Sequence, residues 1–190
     1  QRTGAIAHLT RKDKDYIIIV AGGKGARMGT DLPKQFLAVG GRPMLMHTIQ
    51  RFYDYDSKLN IILVLPHEQQ EYWRQLCKNN RFEIKHTIVD GGATRFESSK
   101  NGLAVIPDDA DGVVGIHDGV RPFVSSETIE RCYETARDEY AVIPVMPVTD
   151  TLRYIDSQGG GKNVLRSDYR IVQTPQTFDI NLVKKAFELP

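Results

Sequence analysis

Short runs of aliphatic and β-branched residues alternate along this chain with amphipathic segments of helix length. Tyr16–Val20 (YIIIV) ends at Gly22-Gly23, Asn60–Leu65 (NIILVL) at Pro66, and Glu83–Val89 at Gly91-Gly92, while Gly112–His117 (GVVGIH) and Ala141–Val145 complete five candidate strands. Between them lie four candidate helices. Pro43–Tyr53 carries Leu45, Ile49, Phe52 and Tyr53 on one face, and Glu68–Asn79 turns Tyr72, Leu76 and Trp73 inward. Thr94–Ile106 follows, and then a segment from Ser126, read as its N-cap, to about Tyr140, with Glu127 in the first turn. Strands alternating with helices of this length predict an α/β fold in three layers, a mostly parallel sheet covered on both faces. Such sheets bind ligands outside the carboxyl ends of their strands.

At 190 residues the chain has the size of one domain, with a closing helix at Asn181–Leu189. A net charge of +1 provides no overall basic field for nucleic acid, and no apolar run approaches the ~20 residues of a membrane span. Its two cysteines, Cys77 and Cys132, are far apart and lack neighbours at metal-ligand spacing. That excludes a disulfide framework and a zinc site and predicts a reducing, cytoplasmic setting. Residues 1–15 (QRTGAIAHLTRKDKD) are mostly polar and read as a tag remnant or loose extension, leaving 16–190 as a single domain. The alternation breaks after Val148. Residues 149–175 hold two strand-like pieces, Thr151–Ile155 and Ile171–Thr174, around a glycine-rich turn, which predicts a β-arm projecting from the core. A long hairpin is marginal alone, so packing on a second subunit is expected.

Three segments at the expected strand ends carry chemistry. The first, VAGGKGARMGTDLPKQ, follows the first strand. It fails the GxxxxGK[ST] pattern because Gly23-Lys24 is followed by Gly25, and it fails GxGxxG because Met28 stands at the third glycine. What remains is a glycine loop whose backbone N–H groups can approach an anion, punctuated by Lys24, Arg27 and Lys34. Arg27 can grip two phosphoryl oxygens, and Lys34 supplies a movable point charge. Phosphoryl transfer needs such fixed cations where charge builds on the non-bridging oxygens. A solvated turn with surface cations is the competing reading. In the second segment, GIHDGVRPF, Asp118 ends an apolar strand as a magnesium ligand would, or as a turn residue before Gly119. His117 reads as structural, and Arg121 as a ligand cation or a partner of Asp118. In the third, GGATRFESS, Gly91-Gly92 allow close backbone approach and Arg95 and Ser98 can reach into the cleft; taken alone, the segment is better read as a strand end leading into a helix capped by Thr94. On the arm, Thr149, Thr151, Arg153, Arg166 and Arg170 could clamp a phosphorylated polyol or belong to an ordinary polar hairpin.

In order, AGGKGARMGTDLPKQF, VDGGATRFES, HDGVRPF, PVTDTLR and QTPQTF resemble the 2-C-methyl-D-erythritol 4-phosphate cytidylyltransferases, from about Ile17 to the end of the chain. The resemblance implies a Rossmann-like core, with the arm exchanged in a homodimer. It implies transfer of CMP from CTP to methylerythritol phosphate, with Mg²⁺ and release of pyrophosphate, in isoprenoid precursor synthesis. It makes Arg27 and Lys34 the transition-state cations. It matches Ala21, Gly22 and Gly23 to the segment that holds base and phosphates; Lys24 and Gly25 beside them are assigned to the nucleotide on physical grounds, the resemblance giving Lys24 no firm role. Gly91, Gly92, Arg95 and Ser98 become the second nucleotide loop, in which Gly92 and Ser98 help recognise cytosine, and Asp118 becomes the metal carboxylate. Thr151 and Arg166 are matched to residues that reach the acceptor across the dimer, and Thr174 to one on the substrate side. The sequence departs from the family pattern at Ala93, where many members are acidic, and in HDGVRP, where HDAARP is commoner. The family's further Thr-Asp and Ile-Lys-Val/Ile-Thr segments lie outside these 190 residues. Ribitol-phosphate cytidylyltransferases share the core motifs and are the nearest alternative. A catalytically silent nucleotide-binding module and a sugar nucleotidyltransferase using UTP or GTP are the others.

Overall fold

The structure is a computed structural model that describes residues 14–22 and 31–190. In chain order the strands are β1 (Tyr16–Val20), β2 (Ala38–Val39), β3 (Arg42–Pro43), β4 (Asn60–Leu65), β5 (Thr87–Asp90), β6 (Val113–Asp118), β7 (Ala141–Val142), β8 (Val145–Pro147), β9 (Arg153–Ile155), β10 (Gly161–Asn163), β11 (Arg170–Val172) and β12 (Gln176–Asp179). The helices are α1 (Met44–Tyr55), α2 (His67–Asn79), α3 (Arg95–Ala104), α4 (Ser126–Glu139) and α5 (Ile180–Glu188).

Six strands form the main sheet in the order β5-β4-β1-β6-β12-β7. β5, β4, β1 and β6 run parallel, and β12 lies antiparallel between β6 and β7. Alternation along β1 sorts the core into two halves. Ile17 and Ile19 pack with Leu45, Ile49 and Phe52 of α1, Trp73 of α2 and Tyr133 of α4. Ile18 and Val20 pack on the other face with Leu103 of α3 and Val183 of α5. The expected three layers therefore form, with three helices on one face and two on the other.

Local readings are adjusted by packing. Tyr53 is 39% exposed, because Phe52 already takes the inward direction and the next residue is turned ~100° away. In α2 the deeply buried residues are Trp73, Gln69 and Gln70, while Tyr72 and Leu76 are only part-buried. Burial of Gln69 is tolerated because its Oε1 accepts a 2.7 Å hydrogen bond from Gln35 Nε2. β5 is shorter than the hydrophobic run, since pairing with β4 begins only at Thr87. The N-cap of α4 is Ser125, not Ser126; its hydroxyl accepts from Thr128 N–H. Asp15 is not part of a loose extension. It is 1% exposed and forms a two-bonded ion pair with Arg137 of α4, at 3.0 and 2.5 Å, while also accepting Val113 N–H at 3.0 Å.

The expected strand Ala141–Val145 divides at Pro144, which has no N–H to continue a ladder. Ala141–Val142 joins the main sheet, and Val145–Pro147 pairs antiparallel with β11. Together with the β9–β10 hairpin this forms an exposed arm. Arg166 ties its two sides together by donating from Nη1 to the Thr149 carbonyl at 2.6 Å.

Candidate active site

The parallel register brings the strand ends to one level, because Val20 lies beside both Val64 and Asp118. Hydrogen bonds continue one residue beyond the strands: Ala21 N–H to the Val64 carbonyl, Gly119 N–H to that of Val20, and Gly91 N–H to that of Leu65. Three loops thereby start along one edge. Gly22 has φ +93°, and a Cβ there would lie 2.8 Å from the Pro66 ring, so this position requires glycine. Of the predicted first loop, Ala21 and Gly22 are described; Gly23, Lys24, Gly25 and Arg27 lie outside the described residues.

Asp118 stands at the end of β6, with its side chain 26% exposed. One carboxylate oxygen accepts from Arg95 Nη1, and the other from Arg121 Nε at 3.1 Å. Arg121 also donates from Nη1 to Gln173 Oε1 at 3.1 Å. Beneath this cluster the buried His117 has both ring nitrogens engaged. Its Nε2 meets the Arg121 carbonyl at 2.9 Å, and because a carbonyl can only accept, that nitrogen carries the proton. Nδ1 is left to accept from the Thr174 hydroxyl at 2.9 Å. Burial pushes the imidazole pKa down to about 4, outweighing the Arg121 carbonyl bond and the Asp118 charge that favour protonation. His117 is thus a neutral strut, and Thr174, 8% exposed, spends its hydroxyl on it and on Asp118 N–H.

The second glycine loop is organised by the start of α3. Thr94 caps the helix by accepting Glu97 N–H at 3.1 Å. Ser98 Oγ accepts Gly92 N–H at 3.0 Å, and the Glu97 carboxylate accepts Ala93 N–H at 2.7 Å. A Cβ on Gly92 would come within 2.4 Å of Glu97 Cβ. The capping by Thr94 is observed; it shapes the loop, with Ser98 buried and bonded to Gly92, and Arg95 extends from it to Asp118.

Beside Asp118 lies an open cavity of about 600 Å³ lined by Lys34, Met44, Arg121, Phe123, Gln173 and Thr174, among others. Lys34 starts a 3₁₀ turn, Lys34–Phe36, anchored by the buried Gln35 and Phe36. Among the predicted residues, Lys34, Asp118, Arg95, Ser98, Gly91, Gly92 and Thr174 come to the strand-end edge or this cavity. Thr151 and Arg166 are on the arm and do not line the cavity. Gln173 was not anticipated; its pairing with Arg121 spans 52 positions and leaves no local pattern.

Asp118 presents one carboxylate, and the described residues contain no group of three His, Cys, Asp or Glu suited to a metal. Such a donor set fits Mg²⁺, which prefers one or two protein carboxylates and takes its remaining ligands from phosphate and water.

Residues 16–189 match the family model for 2-C-methyl-D-erythritol 4-phosphate cytidylyltransferase. The chain is 57% identical over 174 residues to the 2-C-methyl-D-erythritol 4-phosphate cytidylyltransferase of Bacteroides thetaiotaomicron, covering 92% of this chain and 78% of that protein. It is 57% identical over 171 residues to the Bacteroides fragilis enzyme of the same name, covering 90% and 77%. Among solved structures it is similar to the 2-C-methyl-D-erythritol 4-phosphate cytidylyltransferase of Thermus thermophilus, with a TM-score of 0.69 and 32% identity over 90% of this chain and 73% of that one. It is also similar to the 4-diphosphocytidyl-2C-methyl-D-erythritol synthase of Anaerococcus prevotii, with a TM-score of 0.75 and 28% identity over 92% and 74%.

Proposed function

Because this chain belongs to the 2-C-methyl-D-erythritol 4-phosphate cytidylyltransferase family, we propose that it transfers CMP from CTP to 2-C-methyl-D-erythritol 4-phosphate and releases pyrophosphate. The observation that carries this reading is the convergence, at one sheet edge, of the glycine loop around Gly92 and Ser98, the Asp118 carboxylate, and a cavity holding Lys34.

A phosphate oxygen of the acceptor attacks the α-phosphorus of CTP, and the pyrophosphate oxygen leaves with the bonding pair. A phosphate monoester is already an anionic nucleophile at neutral pH, so no general base is needed. Ala21, Gly22 and the residues after them hold the nucleotide, together with Gly91, Gly92, Arg95 and Ser98. Lys34, with Arg27, stabilises charge on the crowded phosphorus. Asp118 would hold Mg²⁺, which when bound neutralises phosphate charge. Thr174 contributes by fixing Asp118 and His117 at the acceptor side.

The arm supports a homodimer in which Thr151 and Arg166 serve the partner's site. It exposes Val145, Met146, Leu165, Tyr169, Ile171 and Val172, apolar side chains that no other described residue covers. Among the described residues no helix is long and apolar enough to cross a membrane. Cys77 and Cys132 are both free, which suits the cytoplasm.

Pyrophosphate release with CTP and Mg²⁺, measured side by side for methylerythritol phosphate and ribitol phosphate, tests the reaction. Faster turnover of methylerythritol phosphate is expected; preference for ribitol phosphate, or nucleotide binding without release, refutes the assignment. Sedimentation at micromolar protein should give a dimer, and a monomer would remove Thr151 and Arg166 from the site.

A further inference from the structure

Both oxygens of Asp118 are taken by guanidinium groups, yet the two arginines are held very differently. Arg121 has hydrogen bonds beyond the carboxylate. Its Nη1 binds Gln173, its N–H donates to the Asp118 carbonyl at 3.1 Å, and its own carbonyl accepts from His117. Arg95 begins α3 with its side chain 44% exposed, and among the described residues its guanidinium has Asp118 as its partner. Among the described residues, then, one guanidinium has a second partner in Gln173, and the other has only the carboxylate.

A divalent cation arriving by itself would meet a carboxylate already neutralised and would sit beside two positive charges. A phosphate-bearing ligand alters this balance. Guanidinium binds phosphate through two parallel hydrogen bonds, and Arg95 projects from the same loop that would hold the nucleotide. Once Arg95 turns to phosphate, one oxygen of Asp118 is released.

We propose that Arg95 is the exchangeable counter-ion of Asp118, so that the divalent cation and the phosphate-bearing nucleotide bind as a coupled pair. This rests on the reading of Asp118 as the metal carboxylate. Coupling of this kind is reciprocal: whatever factor the nucleotide adds to cation affinity, the cation adds to nucleotide affinity. Arg95 is then a positioning residue whose loss should tighten cation binding in the absence of nucleotide, the opposite of what losing a structural contact would do.

The test is a titration of Mn²⁺ alone, followed by the paramagnetic signal of the free ion. Arg95→Ala should bind Mn²⁺ about tenfold more tightly than the wild type, within the usual range of coupling between sites. Arg95→Gln, which keeps a long side chain, should do likewise. The gain should vanish in Arg95→Ala/Asp118→Asn. Lys34→Ala removes a positive charge from the same cleft without touching Asp118, and should leave Mn²⁺ affinity close to the wild-type value. Equal affinity in the wild type and Arg95→Ala overturns the proposal. So does an equal gain in Lys34→Ala, which would be a field effect, and so does a gain that survives loss of Asp118. Pyrophosphate release by the wild type, measured alongside, judges the functional reading separately, so the two can fail independently.

Discussion

Lys34 lines the cavity with no carboxylate paired to it among the described residues, whereas Arg95 and Arg121 are committed to Asp118. A cation in that position can follow charge as it develops on a substrate. Lys34→Ala should therefore lower turnover a hundred- to thousand-fold, about 3–4 kcal/mol of transition-state stabilisation, as measured by pyrophosphate release. Near-normal turnover would remove Lys34 from the mechanism. Thr174 calls for a stability measurement instead. Thr174→Val leaves buried His117 Nδ1 without its donor and Asp118 N–H without its acceptor. A cost of about 1–3 kcal/mol is expected in urea unfolding, and an unchanged midpoint would contradict the strut. At this scale the candidate site was legible as far as Asp118 and Lys34, which sit in motifs whose residue types suit phosphate chemistry. The Arg121–Gln173 and Thr174–His117 bonds were not, since each joins residues more than 50 positions apart.

Helix α3 shows how packing overrides local preference. Gly102 lies within it, and exchange for alanine would ordinarily favour a helix by about 1 kcal/mol. Here an added Cβ would meet Ile18 Cγ2 at 2.7 Å and Val64 Cγ2 at 3.1 Å, in the buried half of the core. Overpacking of this kind costs about 1–3 kcal/mol, so Gly102→Ala should lower the melting temperature; a rise would show that the helix can lift from the sheet. Element types and positions were largely readable, because alternation of period two and helical runs bounded by Gly or Pro are local signals. β4 matches the apolar run NIILVL residue for residue. β12 was missed, since its four residues, QTFD, become a strand only between β6 and β7. The split of Ala141–Val145 depends likewise on where each half finds a partner.

Across the whole molecule, two histidines are built in as neutral groups against the same half of the core, His117 on Phe52 and His86 on Trp73. His86 accepts Trp73 Nε1–H at 3.0 Å on one ring nitrogen and meets the Ile84 carbonyl with the other; burial lowers its pKa despite that carbonyl bond. His117 is lowered further, to about 4. The unfolded chain takes up these protons near the ordinary pKa of ~6.5, before the folded protein does. The contribution of His117 is complete above that pH and is lost as pH falls toward 4, and His86 acts in the same direction, so the urea midpoint should decline through this window. Equal stability at pH 7 and pH 4.5 would show that the histidines titrate freely. By itself the sequence determined the layered α/β class, the succession of the four parallel strands and the residue types available for phosphate chemistry, because periodicity and turn residues act over a few neighbours. Only the tertiary structure decided the insertion of antiparallel β12, the burial of Asp15 against Arg137, and the commitment of both Asp118 oxygens to arginines. Those outcomes depend on which distant groups the closed sheet brings within hydrogen-bonding reach, where desolvation penalises any polar group left unpaired.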